Sequence, residues 1–264
     1  FFDILMDEKT DDLPGPKGRL AVGSTAFHVE VHPTKEMLVV ADIEGTVTVT
    51  GISEELRFHK EGEIKAHSAS CRSLCFDLEG KHLYSCGTDR AITVSDVQGM
   101  RPIGAKKGAH SHPINVVKLY DNNTLLTGDD EGYVRAWDVR GGMKEVWGQA
   151  EHGDFVSDIM CVEEKKIALV TSGDGTLSSY DMRKGNCAYI SDSLQEELLC
   201  IAMVKKMQKI ICGSSGGSLE MFEFGMIGKP EDRFIGHPDS IDSLCNIDDE
   251  TLCTGSSDGH IRIV

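Results

Sequence analysis

LLTGDDEGYVRAWDVR, residues 125–140, decides the fold. An apolar run leads into an acidic turn around Gly132, and apolar residues then alternate through Val134 and Ala136. That pattern is a strand, a tight turn and a second strand. Gly132 stands where a tight hairpin needs a positive φ, which glycine adopts without steric cost. The pattern recurs on both sides: VVADIEGTVTV (39–49), YSCGTDRAITVSD (84–96), LVTSGDGTLSSYD (169–181), IICGSSGGSLEMFE (210–223) and LCTGSSDGHIRIV (252–264). Aligned on the first apolar residue after the turn (Val47, Ile92, Val134, Leu177, Leu219, Ile261), the spacings are 45, 42, 43, 42 and 42. Gly45, Gly132, Gly175, Gly217 and Gly259 share one register, and Arg90 takes their place in the second repeat. That substitution predicts a different turn type there.

A further strand precedes each turn: HVEVH (28–32), RSLCF (72–76), INVVKLY (114–120), SDIMCV (157–162), LLCIAMV (198–204) and IDSLCNI (241–247). Helix-period patterns of useful length are absent. A period of 40–45 residues with a His ahead of the first strand and an aromatic-Asp end is the WD-repeat signature, one four-stranded blade per repeat. The fold class is therefore an all-β WD-repeat β-propeller with about six blades in this chain. Residues 23–264 form it, and the sixth repeat lacks its outer strand. Residues 1–22 are an N-terminal segment, with 7–19 a linker, in which FFDILM or RLAVG is able to supply a closing strand. The chain opens on Phe1-Phe2 without a Met, as a fragment would.

His67, His110, His152 and His237 each precede the first strand of a repeat. In such blades the His bonds a Ser or Thr on the second strand and an Asp in the turn, and a Trp on the third strand completes the network. The second repeat offers His67, Ser85 and Asp89, with Ser95 at the Trp place. The third offers His110, Thr127, Glu131 and Trp137, and the sixth offers His237, Thr254 and Asp258, with Val264 at the Trp place. Each satisfied buried bond contributes about 0.5–1.5 kcal/mol.

The composition is that of a soluble globular chain, with 40% apolar and 27% charged residues. No apolar run approaches bilayer length, so no membrane partner is expected. There is no basic segment followed by an apolar one, as a secretory signal requires. The nine cysteines form no Cys-x-x-Cys and no zinc-spaced cluster. Cys75, Cys86, Cys161, Cys200, Cys212, Cys245 and Cys253 lie in apolar strands, where they act as small buried hydrophobes. This points to a reducing compartment, cytosol or nucleus. A formal net charge of −16 disfavours direct nucleic-acid binding. Lys106-Lys107 and Lys205-Lys206 with Lys209 are the local basic patches, and solvated loops explain them equally well.

The stretches LTGDDEGYVRAWD, VTSGDGTLSSYD, ICGSSGGSLEMF and EDRF, then SIDSL and LCTGSSDGHIR, together with CRSLCFDLEGKHLYSCGTDRAITVSDV, resemble the WD-repeat protein 55 family. The likeness runs from about Phe27 to Val264. It implies a seven-bladed ring, a nuclear and nucleolar location, and a part in ribosomal RNA production and large-subunit maturation. It implies protein partners (pre-ribosomal factors or ribosomal proteins), proximity to pre-rRNA and no catalytic activity. Some plant members are linked to the cullin-4 ubiquitin ligase adaptor.

Two repeats end in an aromatic-Asp-x-Arg box: Trp137-Asp138-Val139-Arg140 and Tyr180-Asp181-Met182-Arg183. They lie 43 residues apart, on neighbouring blades, at the end opposite the tight turns. A guanidinium there can grip a partner's carboxylates or carbonyls in pairs. Such paired boxes resemble those of substrate receptors of the cullin-4 ligase. The plainer reading is a strand-ending Asp with an Arg paired to it locally. Asp42, Glu44, Asp89, Asp129, Asp130, Glu131, Asp174 and Asp258 crowd the tight turns. They form either an acidic rim for a basic partner or simply acids in turns that favour them. Gly213–Gly217 and Gly255–Gly259 match Gly-x-Ser-x-Gly, but each is a hairpin and not the strand–turn–helix elbow that nucleophile needs. His110-Ser111-His112 has no third ligand nearby, Asn122-Asn123-Thr124 is a chance glycosylation match, and no phosphate loop occurs. The leading expectation is a non-catalytic, cofactor-free scaffold in nucleolar ribosome biogenesis. The alternative is a cullin-4 substrate receptor.

Overall fold

The computed structural model describes residues 20, 22–55 and 57–264. Its strands form six antiparallel sheets whose strand order follows the chain. The first holds β1 (Ala26–Val31), β2 (Met37–Asp42), β3 (Thr46–Ile52) and β4 (Phe58–Lys65). The second holds β5 (Cys71–Phe76), β6 (His82–Gly87), β7 (Ile92–Asp96) and β8 (Arg101–Lys106). The third holds β9 (Ile114–Asp121), β10 (Thr124–Asp129), β11 (Tyr133–Asp138) and β12 (Lys144–Ala150). The fourth holds β13 (Val156–Val162), β14 (Ile167–Ser172), β15 (Leu177–Asp181) and β16 (Asn186–Ile190). The fifth holds β17 (Leu198–Val204), β18 (Lys209–Ser214), β19 (Ser218–Glu223) and β20 (Asp232–Ile235). The sixth has three strands, β21 (Ile241–Asn246), β22 (Leu252–Ser256) and β23 (Ile261–Ile263). This is a six-bladed β-propeller arrangement.

The sequence pattern explains which strand lies where. Second strands such as MLVVAD and KIICGS are apolar on both sides and buried nearly throughout, because sheets cover both of their faces. Outer strands such as RPIGAK and DRFI are exposed. Pro102 sits in one of them, at a sheet edge where its missing N–H disturbs the ladder least.

Contacts divide the described residues into two compact units, one reaching to Asn122 and the other Asn123–Val264. In the first, Val39, Val47, Val49 and Ile64 pack on Leu74, Phe76, Leu83 and Val97 of the next sheet. In the second, one core joins Leu169 and Leu177 to Leu198, Ile210 and Phe222, and another joins Val204, Ile211 and Leu219 to Ile241 and Leu252. Innermost strands also bond one another through side chains. In the first unit the amides of Leu74, Val117 and Leu119 donate to His28 Nδ1 (3.0 Å), Ser73 Oγ (3.2 Å) and Cys75 Sγ (3.2 Å). In the second, Ile201 N donates to Asp158 Oδ2 (3.3 Å), Ser157 Oγ to the Leu198 carbonyl (2.6 Å) and Asn246 Nδ2 to the Met203 carbonyl (2.7 Å).

The tight turns share one geometry. The amides of Gly45, Gly175 and Gly217 close the turn onto Asp42, Ser172 and Ser214 (3.1–3.2 Å), with φ between 77° and 80°. Arg90 does the same, at φ 61° with its amide 3.1 Å from the Gly87 carbonyl. The expectation of a different turn in the second repeat is therefore corrected. Arginine adopts the left-handed conformation and bears the strain, about 1–2 kcal/mol. The cysteine expectation also needs correction. Cys75, Cys86, Cys200 and Cys212 are buried, but Cys161 and Cys253 are only half-buried and Cys245 is exposed. FFDILM and residues 7–19 lie outside the described residues, and of RLAVG the described Leu20, Val22 and Gly23 carry no strand.

Two predictions follow from this geometry. A Cβ on Gly217 would meet the His237 carbonyl oxygen at 2.4 Å, whereas one on Gly259 meets nothing within 4 Å. In urea unfolding, Gly259→Ala should cost about 1–2 kcal/mol for backbone strain alone. Gly217→Ala should cost clearly more, and Arg90→Gly should gain about 0.5–1 kcal/mol. Equal losses at the two glycines would dismiss the carbonyl clash. The second prediction concerns His28. Burial, helped by the Lys118 charge, pushes its pKa from 6.5 down to about 3. The unfolded chain then binds the extra proton between those values, so this stability is present above pH 6.5 and is lost as pH falls toward 3. Between pH 7 and 4.5 the wild type should lose more thermal stability than His28→Gln, and parallel curves would refute the assignment.

Candidate functional site

The buried polar residues of the blades serve the turns. In the second sheet His67 Nδ1 donates to Asp89 Oδ1 (2.9 Å), and His67 Nε2 pairs with Ser85 Oγ (2.9 Å). Burial works against charge on Asp89. The bonds from His67 and from the Ser68 and Ala91 amides outweigh it and hold the carboxyl below its ordinary range. In the third sheet Trp137 Nε1 donates to Thr127 Oγ1 (2.8 Å), and His110 is buried. Glu131, expected as that network's acid, is exposed. The buried carboxylate of its turn is Asp129, which accepts from the amides of Glu131 (3.1 Å) and Tyr133 (2.9 Å).

The sixth sheet departs further. His237 Nε2 pairs with Thr254 Oγ1 (2.8 Å), but its Nδ1 has no partner among the described residues. Asp258 turns instead to Arg262, whose Nη2 donates to Oδ2 at 2.5 Å and Nη1 to Oδ1 at 3.2 Å. The expected His237–Asp258 bond is therefore absent, because a guanidinium on the facing strand competes better for the carboxylate than a neutral imidazole.

Two networks were not foreseen. His152 pairs with Thr176 Oγ1 (2.9 Å) and with Ser178 Oγ (2.8 Å) on the third strand, where a second-strand hydroxyl was expected. Thr176 Oγ1 donates to Asp174 Oδ1 (2.5 Å). In the fifth sheet Gln195 stands at the histidine register, and Glu196 does the work. Its Oε2 accepts from Ser214 Oγ (2.6 Å) and Arg233 Nη2 (2.8 Å), while Arg233 Nε reaches the buried Glu220 (2.5 Å). The doubled acids around a serine-rich turn were the only signal in the sequence. The Trp place also has its own signature. Thr50, Ser95 and Tyr180, which fill it in three sheets, are buried and their hydroxyls have no hydrogen-bond partner among the described residues.

The two aromatic-Asp-x-Arg boxes adopt one geometry. Arg140 Nε and Nη2 donate to Asp138 Oδ1 (3.0 Å) and Oδ2 (2.6 Å). Arg183 repeats this on Asp181 at 3.0 and 2.7 Å. The guanidinium beside each carboxyl holds it at about 2, well under the usual carboxylate range. Both arginine side chains remain largely exposed, at 67% and 69%. The aromatic members are buried, and Tyr180 carries a partner that sequence reading missed. Trp147 of β12 stacks on it, centroids 5.7 Å apart and planes 11° apart. The indole also lies so close to Gly185 that a Cβ there would meet it at 2.6 Å.

The two Gly-x-Ser-x-Gly matches sit in hairpin turns. Ser215 Oγ accepts from the Glu197 amide (3.1 Å), and Ser257 Oγ donates to Asp242 Oδ2 (2.6 Å). No group of three side chains suited to a metal ion occurs among the described residues.

Comparison with known proteins bears on what such a site belongs to. The family model described as WDR55 matches residues 18–264. WD repeat-containing protein 55 of Mus musculus is 35% identical over 253 residues, covering 93% of this chain and 63% of the mouse protein. The homolog of Dictyostelium discoideum is 33% identical over 249 residues, with 93% and 59% covered. WD repeat-containing protein JIP5 of Coprinopsis cinerea is 35% identical over 256 residues, with 93% and 62% covered. The chain thus spans less than two thirds of the length of each of these relatives. With a family match across nearly its whole length and six sheets in the repeat register, the chain belongs to the WDR55 family of WD-repeat β-propeller proteins.

Proposed function

We propose that this chain is a non-catalytic scaffold that holds proteins together during ribosome production in the nucleolus. WD-repeat propellers work through protein–protein contacts, and family membership supports that much directly. The observation that carries the reading is where the polar chemistry goes. His67, His152, Asp89 and Asp174 are consumed inside their own blades, and Arg140 and Arg183 stand in solvent on oriented loops. Rigid sheets that present fixed loops suit recruitment. The nucleolar and ribosomal part rests on the family resemblance. Pre-ribosomal factors or ribosomal proteins are the proposed partners.

The paired boxes favour a second reading, docking on the adaptor of a cullin-4 ubiquitin ligase. Each guanidinium is already held by its neighbouring carboxylate, which reduces the ordering cost of a contact made there.

Affinity purification of the tagged protein after RNase treatment should retain pre-ribosomal proteins, and a fluorescent fusion should concentrate in nucleoli. A purification free of every pre-ribosomal component would end the scaffold reading. For the second reading, Arg140→Ala combined with Arg183→Ala should weaken adaptor binding by about tenfold or more, as loss of charge-assisted contacts does. Unchanged binding would remove it.

A further inference from the structure

Within Asn123–Val264, the basic residues are sorted by sheet end. The loops at the tight-turn end are residues 130–132, 151–155, 173–176, 191–197, 215–217, 236–240 and 257–260. They contain no lysine or arginine and ten acidic residues. Of the 13 basic residues in this unit, Arg135, Arg233 and Arg262 lie in strands and pair there with Glu145, Glu196 and Glu220, and Asp258. Lys229 reaches Asp192. The other nine lie at the opposite strand ends. Glu131, Glu151, Asp154, Glu197 and Asp239 are left exposed at the acidic end.

His237 is a second, independent observation at the same end. It lies in the loop before β21 and is only 6% exposed. Thr254 directs its own proton toward the Arg262 carbonyl (3.5 Å), so His237 Nε2 carries the ring proton donated to Thr254. Nδ1 is then a bare lone pair without a donor among the described residues. In the second blade the same atom faces the turn carboxylate. Here Arg262 has drawn that carboxylate away. A buried acceptor with no donor among the described residues, in a loop that also carries the exposed Asp239, is matched by an N–H-bearing cation.

We propose that the tight-turn end of this unit docks an extended Lys/Arg-rich protein segment, one of whose N–H groups satisfies His237 Nδ1. The inference rests on the scaffold reading and names the chemistry of one partner. Phosphates are repelled from such a surface, so a basic polypeptide fits and a nucleic-acid backbone does not.

The test measures fluorescence anisotropy of a labelled Lys/Arg-rich synthetic peptide against the purified chain. Binding should weaken steeply with added salt. The combined variant Glu131→Gln, Asp154→Asn, Glu197→Gln, Asp239→Asn changes only exposed side chains. It should bind about tenfold more weakly or worse with unchanged thermal unfolding, while Lys166→Gln with Lys206→Gln binds as wild type. Equal affinity in the acidic-end variant would overturn the proposal, as would preference for single-stranded RNA over the peptide. The purification experiment separates the two ideas. Peptide binding lost in the variant, with no pre-ribosomal protein retained by the wild type, leaves the surface standing and removes its ribosomal setting. Retained particles with no peptide binding do the reverse.

Discussion

Four of the six blades share one small clamp. The residue at the tight turn must be left-handed, and its carbonyl must accept the amide of the loop arriving from the outer strand. Gly45 takes His67 N at 3.0 Å, Arg90 takes Ala109 N at 2.9 Å, Gly175 takes Leu194 N at 2.9 Å and Gly217 takes His237 N at 3.3 Å. The clamp lays the loop so close that a side chain at Gly45, Gly175 or Gly217 would strike its carbonyls. It also delivers His67 and His237 into their blades, since the clamped amide belongs to the histidine itself. Backbone geometry comes first, and the side-chain networks hang from it.

That hierarchy explains what could be read in the sequence. Turn glycines and apolar alternation are local, so the repeat register and the three inner strands of every blade were visible, while the exposed outer strands carry no such pattern. His67, Ser85 and Asp89 were also legible, because nothing nearby competes for them. Asp258 was not, since Arg262, four residues on and across the hairpin, outbids an imidazole. Glu131 failed because Asp129, one methylene shorter and two residues earlier, already caps the turn. In the fifth blade a Glu–Arg pairing replaces histidine altogether, and only spatial proximity reveals it. Arg90 shows the limit of residue preference. The turn keeps its shape and the side chain accepts the strain.

The rim boxes divide in the same way. Their spacing and side were apparent from the repeat, and the bidentate pairing of each Arg to its own Asp agrees with the plainer of the two sequence readings. Trp147 could not be assigned from sequence. It sits on an outer strand of one blade and stacks on Tyr180 of the next, a contact that depends on Gly185 having no side chain.

The self-pairing of Arg140 with Asp138 and of Arg183 with Asp181 has an electrical consequence. Seen from a distance, each box is close to neutral, a compact dipole and not a lone positive charge. Its field dies away within a few ångströms, so the boxes add little to the pull that the lysines at the same strand ends exert on a diffusing molecule. What a box itself contributes is shape and hydrogen-bond geometry at contact, and ionic strength has little purchase on that contribution.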